Sequence, residues 1–402
     1  MKSITGSQVF DIATVRADTA ACANFIHFNN AGASLPPQPV VEAMIAHLAL
    51  EASIGGYEAQ AREDGKIEHT YDAIARLIGC RRHEIAIIEN ATRAWDMAFY
   101  AMRFSAGDVI LTSTAEYASN FIAYLQVTKK CGAEVRLVPD DGAGQLDVEA
   151  LERIIDDRVK LIALTHVPTN GGLVNPAAAV GRIARSHGIP FLLDACQSVG
   201  QLPVNVDDLG CDMLSATGRK YLRGPRGSGF LYVRESMIEQ LEPPMLDLHA
   251  ATWTDEGGFS IRADARRFEN WECNIAGKIG LGVAADYAVA LDPGVTGPRI
   301  QRLAAHLRAC LGDIPGATVH DRGAELCGIV SFNLKNVAPD RVKAALAERK
   351  INVSVSPAAW TLIDMTRRQI PSLVRASVHY YNTEDEIAQF CDALRAITST
   401  GT

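Results

Sequence analysis

The segment Phe191–Gly200, with the sequence FLLDACQSVG, decides how this chain folds. Three apolar residues end in Asp194, which is typical of a short buried strand that delivers an acidic side chain at its carboxyl end. Ligands of α/β sheets bind at this end of the strands. The same Asp also has a structural explanation, because strand-to-helix junctions often use Asp as a helix N-cap.

Similar apolar runs recur on both sides of this segment, between about residues 85 and 235. They are rich in Val, Ile and Leu, and stretches with helical spacing separate them. This alternation predicts an α/β fold with a mostly parallel, seven-stranded sheet. The runs are Ile85–Ile88, Val109–Thr112, Val135–Val138, Val159–Val167, Phe191–Leu193, Met213–Ser215 and Phe230–Val233.

The pattern changes after about residue 255 and predicts a smaller α+β C-terminal unit. A long helix is expected over Asn274–Ala290, followed by a break at Pro293–Gly294. We predict a large domain over residues 20–260 and a small domain formed by residues 1–19 and 261–402. In the small domain the patterns predict helices over Ala304–Leu311, Arg341–Glu348 and Glu384–Ile397, and strands over Ile329–Asn333 and Val374–Tyr380.

Composition excludes several classes of protein. Hydrophobic residues make up 48% of the 402 residues and charged residues 21%, which indicates a packed core. The net charge of −8 argues against a nucleic-acid binder. The first fifteen residues lack the apolar core of a signal peptide, and no run approaches the roughly 20 apolar residues of a membrane helix. Nine cysteines without a C-x-x-C pair predict a cytoplasmic protein with reduced thiols and no metal site.

A second segment, Ser215–Gly229 (SATGRKYLRGPRGSG), places Lys220 after an apolar run and among four glycines. Glycines let the backbone approach a ligand closely. A lysine that forms a Schiff base must be neutral, and the neighbouring Arg219 and Arg223 are expected to lower its pKa. The alternative is a flexible surface loop with three exposed cations.

Asp194 and Lys220 together are more informative than either residue alone. They lie 26 residues apart, at the ends of successive predicted strands. Pyridoxal 5′-phosphate (PLP) needs a carboxylate against its pyridine nitrogen and a lysine for its aldehyde. The pair therefore predicts PLP as the cofactor.

In the two segments that contain Asp194 and Lys220, and in the spacing between them, the chain resembles the class V aminotransferase family of fold-type I PLP enzymes. That family includes cysteine desulfurases, selenocysteine lyases and isopenicillin N epimerases. The resemblance extends from FNNAGASLPP near residue 28 to RASVHYYNTEDE near residue 375. It implies the fold-type I transferase architecture, an amino-acid substrate and a homodimer. It also implies that Asp194 pairs with the pyridine nitrogen, Gln197 reaches the phenolic oxygen, and Lys220 forms the Schiff base and moves protons.

The resemblance assigns two groups of residues to the cofactor's phosphate. Thr217 and Arg219 match a loop that contacts the phosphate, and the planar fork of an Arg suits this anion. The segment Glu89–Asp96 (ENATRAWD) matches the first phosphate loop, where a helix begins after a strand. Ala91 and Thr92 are the candidates there, although Thr92 has the alternative of an ordinary helix cap.

Two further segments are expected near the cofactor's ring. Tyr117, in the segment STAEYASN, matches an aromatic residue that stacks on the ring, with core packing as the alternative. The segment His166–Gly172 (HVPTNGG) matches a loop near the phenolic oxygen. Either Thr169 or Asn170 is expected to make that contact.

The substrate side is assigned by the resemblance at both ends of the chain. Arg375 matches an Arg that holds the substrate's α-carboxylate through a bidentate pair. Its alternative is a surface Arg on an edge strand. Asn30, Ala31 and Gly32 match an N-terminal loop that lines the substrate pocket.

The reaction is predicted from a departure from the family pattern. Cysteine desulfurases need a mobile nucleophilic Cys shortly before the substrate Arg, and the segment Ser354–Arg368 contains none. We therefore expect β-elimination by a C–S lyase acting on a cysteine-derived substrate, not formation of a persulfide. The alternatives left open are an amino-acid epimerase, an aminotransferase and, from another class, a non-catalytic PLP-binding relative.

Overall fold

The computed structural model describes residues 10–400, except for the side chain of Thr400. Residues 1–9, on which the signal-peptide prediction and part of the predicted small domain rest, lie outside this range. The helices are α1 Ile12–Ala17, α2 Gln38–Ile54, α3 Gly56–Arg62, α4 Asp64–Ile78, α5 Ala91–Tyr100, α6 Ala118–Cys131, α7 Val148–Ile154, α8 Ala177–Ser186, α9 Val206–Leu209, α10 Glu235–Ile238, α11 Ile275–Leu291, α12 Pro293–Gly312, α13 Pro339–Ala347, α14 Leu362–Arg367 and α15 Glu384–Thr400.

The strands alternate with these helices in the first half of the chain and pair among themselves in the second. They are β1 Ile26–His27, β2 Ile85–Ile88, β3 Val109–Thr112, β4 Glu134–Leu137, β5 Val159–Thr165, β6 Phe191–Asp194, β7 Met213–Thr217, β8 Gly229–Val233, β9 Ala251–Asp255, β10 Gly258–Ile261, β11 Ala317–Val319, β12 Ile329–Leu334, β13 Ile351–Asn352, β14 Ser354–Pro357 and β15 Ser372–Ser377.

The large sheet has the seven strands that the apolar runs predict, in the order β2-β8-β7-β6-β5-β3-β4. Strand β8 runs antiparallel to both of its neighbours, and the other pairs are parallel. Helices cover both faces, so successive residues of one strand enter different cores. Phe191 and Leu193 pack into one apolar cluster with α4 and α8, whereas Leu192 packs into another with α5 and α6. The predicted α/β class with a mostly parallel sheet is confirmed.

The second half of the chain forms a smaller unit around the antiparallel sheet β11-β12-β15-β14. Helices α12, α13 and α15 supply much of its core. Two details differ from the sequence expectations. Pro293 begins helix α12 directly after α11, which suits the first position of a helix because proline needs no hydrogen-bond acceptor there. Strand β15 ends at Ser377, and Asn382 then donates its backbone N–H to His379 in a turn.

Two segments pack across the predicted domain boundaries. Strand β1 pairs with β13, so the chain near residue 27 lies in the smaller unit. Helix α11 contributes Leu281, Ala284 and Ala285 to the core of the large sheet. The boundaries at residues 19 and 260 stay a prediction, and we propose that α11 belongs with the larger domain.

No helix within residues 10–400 combines the length and the apolar character that crossing a bilayer requires.

Candidate active site

A pocket opens at the edge of the large sheet where its parallel strands end. Strands β3, β5, β6 and β7 point toward this edge, so the residues that follow them converge there. The first turn of α5 closes one end. The pocket is lined by Asn90, Ala91, Thr92, Tyr117, Asn120, Thr165, Val167, Thr169, Asp194, Cys196, Gln197, Thr217, Arg219 and Lys220.

Asp194 ends β6 at the base of the pocket, where 7% of it is exposed. Its Oδ1 accepts a hydrogen bond from the Cys196 backbone N–H at 2.9 Å, and its Oδ2 accepts one from Asn120 Nδ2 at 3.1 Å. Burial raises the pKa of Asp194, whereas the Cys196 bond, the charge of Lys220 and the Asn120 bond lower it. Turns follow β6, and the next helix, α9, begins only at Val206, so Asp194 is no helix N-cap.

Lys220 follows β7 and faces the same pocket. Burial lowers its pKa, and the cations of Arg219 and Arg375 act in the same direction. Cys196 and Asp194 oppose this shift, because negative charge favours the ammonium form. A lysine with a lowered pKa is partly neutral and can attack an aldehyde.

Arg223 is not among the groups that lower the pKa of Lys220, so the expectation that it does is wrong, and so is the alternative of a loop with three exposed cations. Arg223 is 1% exposed and turns away into the small unit. Its Nε donates to the Leu35 carbonyl at 2.8 Å, and its Nη2 donates to Thr19 Oγ1 at 2.6 Å. Its guanidinium carbon lies 4.7 Å from the centre of the Tyr381 ring. Arg223 therefore joins the two units and leaves Arg219 as the cation of this loop that faces the pocket.

The first turn of α5 forms one end of the pocket. Asn90, and not Thr92, caps this helix, because its side chain accepts the Arg93 backbone N–H at 3.0 Å. The first N–H groups of a helix have no intrahelical acceptor, and the helix dipole favours an anion beside them. Gly229 lets this turn approach the sheet, since a Cβ there would lie 3.1 Å from the Asn90 carbonyl carbon.

The two predicted loop residues opposite this turn also line the pocket. Thr217 donates its hydroxyl to the Ser228 carbonyl at 3.3 Å. Arg219 donates Nη1 to the Gly32 carbonyl, and this bond holds its guanidinium against the N-terminal loop. Both side chains therefore stand beside the helix N-terminus that suits a phosphate.

The structure separates Thr169 from Asn170. Thr169 lines the pocket, whereas Asn170 turns away and donates Nδ2 to the Pro357 carbonyl at 3.1 Å and to Thr361 Oγ1 at 3.0 Å. Gln197 donates Nε2 to the Ala31 carbonyl at 3.1 Å and to Thr169 Oγ1 at 3.4 Å. Its Oε1 is buried without a hydrogen-bond partner among the residues that the structure describes. A buried unpaired amide oxygen of this kind is a contact that a polar ligand can satisfy.

Tyr117 lies half-buried at the wall of the pocket and does not pack in the core. Its backbone N–H donates to the Glu116 carboxylate at 2.8 Å, and this bond fixes the position of the Tyr117 backbone. An aromatic face at this wall suits a flat heteroaromatic ligand.

Arg375 lies in the middle of β15, which pairs with β12 on one side and β14 on the other, so it is not on an edge strand. It is 3% exposed, and burial lowers its pKa to about 10. Its Nη1 donates to the Thr169 carbonyl at 3.0 Å and to Thr169 Oγ1 at 2.6 Å. Its Nε donates to Ser354 Oγ at 3.1 Å. These bonds hold the guanidinium against Thr169 at the border of the pocket, although Arg375 itself is not among the lining residues.

The N-terminal loop supports the pocket through its backbone. Asn30 is fully buried and donates Nδ2 to the Ser377 carbonyl at 2.7 Å, so its side chain is used inside the small unit. Ala31 and Gly32 offer their carbonyls to Gln197 and Arg219. None of these three residues lines the pocket, which differs from the expectation for the N-terminal loop.

Sequence reasoning did not select Glu116, Asn120 or Cys196 as site residues. Asn120 and Cys196 line the pocket, and Glu116 contacts Asn120 directly behind it. A signal was present, because an acid and an amide four residues apart face the same side when a helix begins after a strand.

Comparisons with known proteins agree on the family of this chain. The sequence model described as Aminotransferase class-V matches residues 26–390. A probable cysteine desulfurase of Methanothermobacter thermautotrophicus is 29% identical over 393 residues, covering 96% of this chain and 98% of the relative. A cysteine desulfurase of Salmonella agona is 29% identical over 392 residues, covering 92% and 93%. The apo structure of a cysteine desulfurase from Thermococcus onnurineus covers 100% of both chains, with a TM-score of 0.88 and 27% identity.

These comparisons contradict the expected C–S lyase. The three proteins above are named cysteine desulfurases, and the prediction of elimination without persulfide formation is therefore wrong. A cystine C–S lyase structure is also similar, with a TM-score of 0.84, but at 23% identity it shows the fold alone. That prediction treated the missing cysteine in Ser354–Arg368 as decisive. A sulfur acceptor can also come from elsewhere, and the pocket itself includes Cys196. The epimerase, aminotransferase and non-catalytic alternatives are replaced by the same finding.

The residues at this pocket fit PLP. An acid and a lysine of lowered pKa face one another, a helix N-terminus suits a phosphate, and the unpaired Gln197 Oε1 remains for a polar ring substituent. The fold, the pocket and the match over residues 26–390 agree, and we conclude that the chain belongs to the class-V aminotransferase family of PLP-dependent enzymes.

Proposed function

We propose that this enzyme is a cysteine desulfurase, which converts L-cysteine and an acceptor thiol into L-alanine and a persulfide. The observation that carries the proposal is that Asp194, Lys220 and Thr169 line one pocket, while Arg375 is hydrogen-bonded to Thr169. An amino acid whose carboxylate pairs with Arg375 has its α-carbon on the Lys220 side of the pocket. The names of the similar proteins support cysteine as this amino acid.

When bound, PLP supplies an electron sink for the substrate's α-carbon. The chain's own residues do the rest. Asp194 holds a positive charge on the pyridine nitrogen, and Lys220 moves protons as general acid and base. Ala91, Thr92, Thr217 and Arg219 hold the phosphate. Each of these roles is a proposal that rests on the positions of the side chains.

Tyr117 would cover one face of the bound ring, and Gln197 with Thr169 would hold its phenolic oxygen. Arg375 keeps Nε on Ser354 and Nη1 on Thr169, which leaves its Nη2 to donate to a carboxylate. Because these donors are already bonded, the guanidinium needs little reorganisation when the substrate arrives.

The acceptor thiol comes from outside the segment Ser354–Arg368, because this segment contains no cysteine. The pocket offers Cys196, whose thiol has a pKa that burial raises and Lys220 lowers. A thiol dissolved in the medium is the other source. In either case one S–S bond forms, one C–S bond breaks, and the β-carbon takes a proton.

The test is a product assay with L-cysteine and the PLP-loaded enzyme. We expect L-alanine together with a persulfide, in equal amounts, and a faster reaction when dithiothreitol is added as the acceptor. Cys196→Ala separates the two sources of thiol, because it removes the dependence on Cys196 and leaves the reaction with dithiothreitol. Release of pyruvate and ammonia in place of alanine would overturn the proposal.

We also propose that the enzyme is a homodimer of the cytoplasm. Two large apolar side chains, Tyr57 and Trp271, line a broad cavity between α3 and the start of α11. Tyr57 is 72% exposed and Trp271 is 53% exposed. Burying such side chains against a second copy is favourable. The nine cysteines are free, as suits a reducing compartment. Sedimentation at micromolar concentration should give twice the mass of one chain, and a single-chain mass would contradict the dimer.

A further inference from the structure

A buried carboxylate lies directly behind the pocket, in contact with the residues that line it. Glu116 follows β3 and precedes α6, and it is 3% exposed. Asn120, one turn further on in α6, is also 3% exposed and stands between Glu116 and Asp194. The reaction described above uses neither side chain, so their burial needs another explanation.

Glu116 is surrounded by donors. Its Oε2 accepts the Thr112 hydroxyl at 2.9 Å, and its Oε1 accepts the Tyr117 backbone N–H at 2.8 Å and Asn120 Nδ2 at 3.0 Å. The Thr165 hydroxyl also donates to Oε1. Burial raises the pKa of Glu116 and the charge of Asp194 acts in the same direction, whereas the bonds from Thr165, Asn120 and Tyr117 lower it. These donors fix the position of the carboxyl group and favour its anionic form against the effect of burial.

Asn120 joins the two carboxylates through a single nitrogen. Its Nδ2 lies 3.0 Å from Glu116 Oε1 and 3.1 Å from Asp194 Oδ2. An amide nitrogen carries two hydrogens, so both are used, one for each carboxylate. If the amide turned over, its carbonyl oxygen would face two negative charges. Glu116 therefore forces Asn120 to present a donor, and not an acceptor, to Asp194.

We propose that Glu116 is a positioning residue that acts through Asn120 to keep Asp194 ionised, and thereby keeps the pyridine nitrogen of bound PLP protonated. The inference rests on the proposed role of Asp194. Each oxygen of Asp194 then has one fixed donor, Cys196 N–H on Oδ1 and Asn120 on Oδ2. The remaining lone pairs of the carboxylate are free to accept the pyridine N–H.

The test is the ¹⁵N NMR signal of the pyridine nitrogen in holoenzyme loaded with ¹⁵N-labelled PLP. This signal reports protonation of the nitrogen directly, and a purely structural role would not move it. In Asn120→Leu, which has similar size and no donor, we expect the signal to move toward the unprotonated position. One state pairs ionised Asp194 with a protonated pyridine nitrogen, and the other pairs neutral Asp194 with an unprotonated nitrogen. The equilibrium should shift roughly tenfold toward the neutral pair, as for the loss of one hydrogen bond to a charged group.

Two more variants sharpen the test. Glu116→Gln keeps the size of the side chain but lets Asn120 turn either way. It also removes a charge that repels Asp194, which acts in the opposite direction, so we expect a shift in the same direction and smaller than in Asn120→Leu. Thr128→Val is the matched control on the same helix, because the Thr128 hydroxyl only donates to the Leu125 carbonyl at 3.0 Å. It should leave the signal where the wild type has it.

Every outcome decides the matter. Identical signals in the wild type, Asn120→Leu and Glu116→Gln overturn the inference, and so does loss of cofactor from both variants while they stay folded. If only Asn120→Leu fails to fold, Glu116→Gln decides by its shift. An unprotonated nitrogen in the wild type, or no effect of Asp194→Asn, contradicts instead the proposed role of Asp194. The two failures are therefore distinguishable.

Discussion

The two sides of the pocket differ in how they are built. The cofactor side stands on the ends of fully buried strands, where Asp194 closes β6 and Lys220 follows β7. The substrate side comes from the small unit, where Ser354–Arg368 lacks the cysteine of the family pattern and Trp360 is 36% exposed. This difference teaches that the sheet supplies the groups that suit the cofactor, whereas the small unit supplies Arg375, the group proposed to hold the substrate's carboxylate.

The contact between the two sides is narrow. Thr169 lines the cofactor side, and its carbonyl and hydroxyl both accept hydrogen bonds from Arg375 on the substrate side. The centre of the Trp360 ring lies 5.8 Å from the Arg375 guanidinium carbon, so this ring also belongs to the substrate side. Variants of each side should therefore affect different measurements, and four predictions test this.

The largest effect is expected on the cofactor side, from Lys220→Ala. General acid–base catalysis contributes roughly 10²–10⁴-fold, so kcat should fall by at least that factor. Absorbance near 420 nm should disappear, because the covalent link to the lysine is gone. Lys129→Ala, on the exposed end of α6, serves as the control and should match the wild type. A Lys220→Ala enzyme that kept the absorbance would contradict the assignment of Lys220 to the cofactor side.

On the substrate side, Arg375→Lys should lower kcat/KM for L-cysteine by roughly 10–100-fold, because a lysine cannot form the bidentate pair with a carboxylate. The absorbance of the bound cofactor should stay unchanged. Arg367→Lys, exposed on the nearby α14, is the matched control. If Arg375→Lys releases the cofactor and leaves KM as it was, the division of the pocket into two sides is incorrect.

A pH experiment tests the environment of Lys220. Burial and Arg219 lower its pKa from the ordinary lysine value of 10.5, and only the neutral amine attacks the aldehyde. The rate at which apoenzyme captures PLP should therefore rise with pH and level off below pH 10.5. Arg219→Gln should move this rise to higher pH, because a cation that disfavours the ammonium form is removed.

The matched control for this experiment is Arg226→Gln, an exposed cation of the same loop. It should follow the wild-type curve. A wild-type rate that still climbs steeply above pH 10.5 would contradict the lowered pKa.

The smallest effect is expected from Trp360→Phe on the substrate side. A weaker aromatic partner for the Arg375 cation should raise KM about 2–5-fold, as for an exposed cation–π contact. Steady-state kinetics with L-cysteine measure this change. An unchanged KM together with weaker cofactor binding would place Trp360 on the cofactor side of the pocket.

Much of the cofactor side was predictable from sequence because its signals are local. Buried parallel strands appear as short Val, Ile and Leu runs, and all seven runs became strands of one sheet. Once those strands are known to be parallel, Asp194 and Lys220 must come to the same edge. The predicted cofactor and fold followed from this.

The remaining errors come from tertiary contacts. Thr169 and Asn170 are adjacent in sequence, and only packing against residues 357–361 turns Asn170 away from the pocket. The Asn30 side chain is hydrogen-bonded to the Ser377 carbonyl, which lies 347 residues away along the chain. Glu116 gains its importance from Asn120 and Asp194 together. The reaction was predicted wrongly because a missing cysteine in one segment does not show where a sulfur acceptor comes from.

The central claim is that the cofactor is held covalently by Lys220 opposite Asp194. Reducing the holoenzyme with borohydride, digesting it and sequencing the peptides by mass spectrometry tests this claim most directly. We predict a pyridoxyl phosphate adduct on the peptide that contains Lys220. An unmodified Lys220, or an adduct on another buried lysine such as Lys278, would contradict the account.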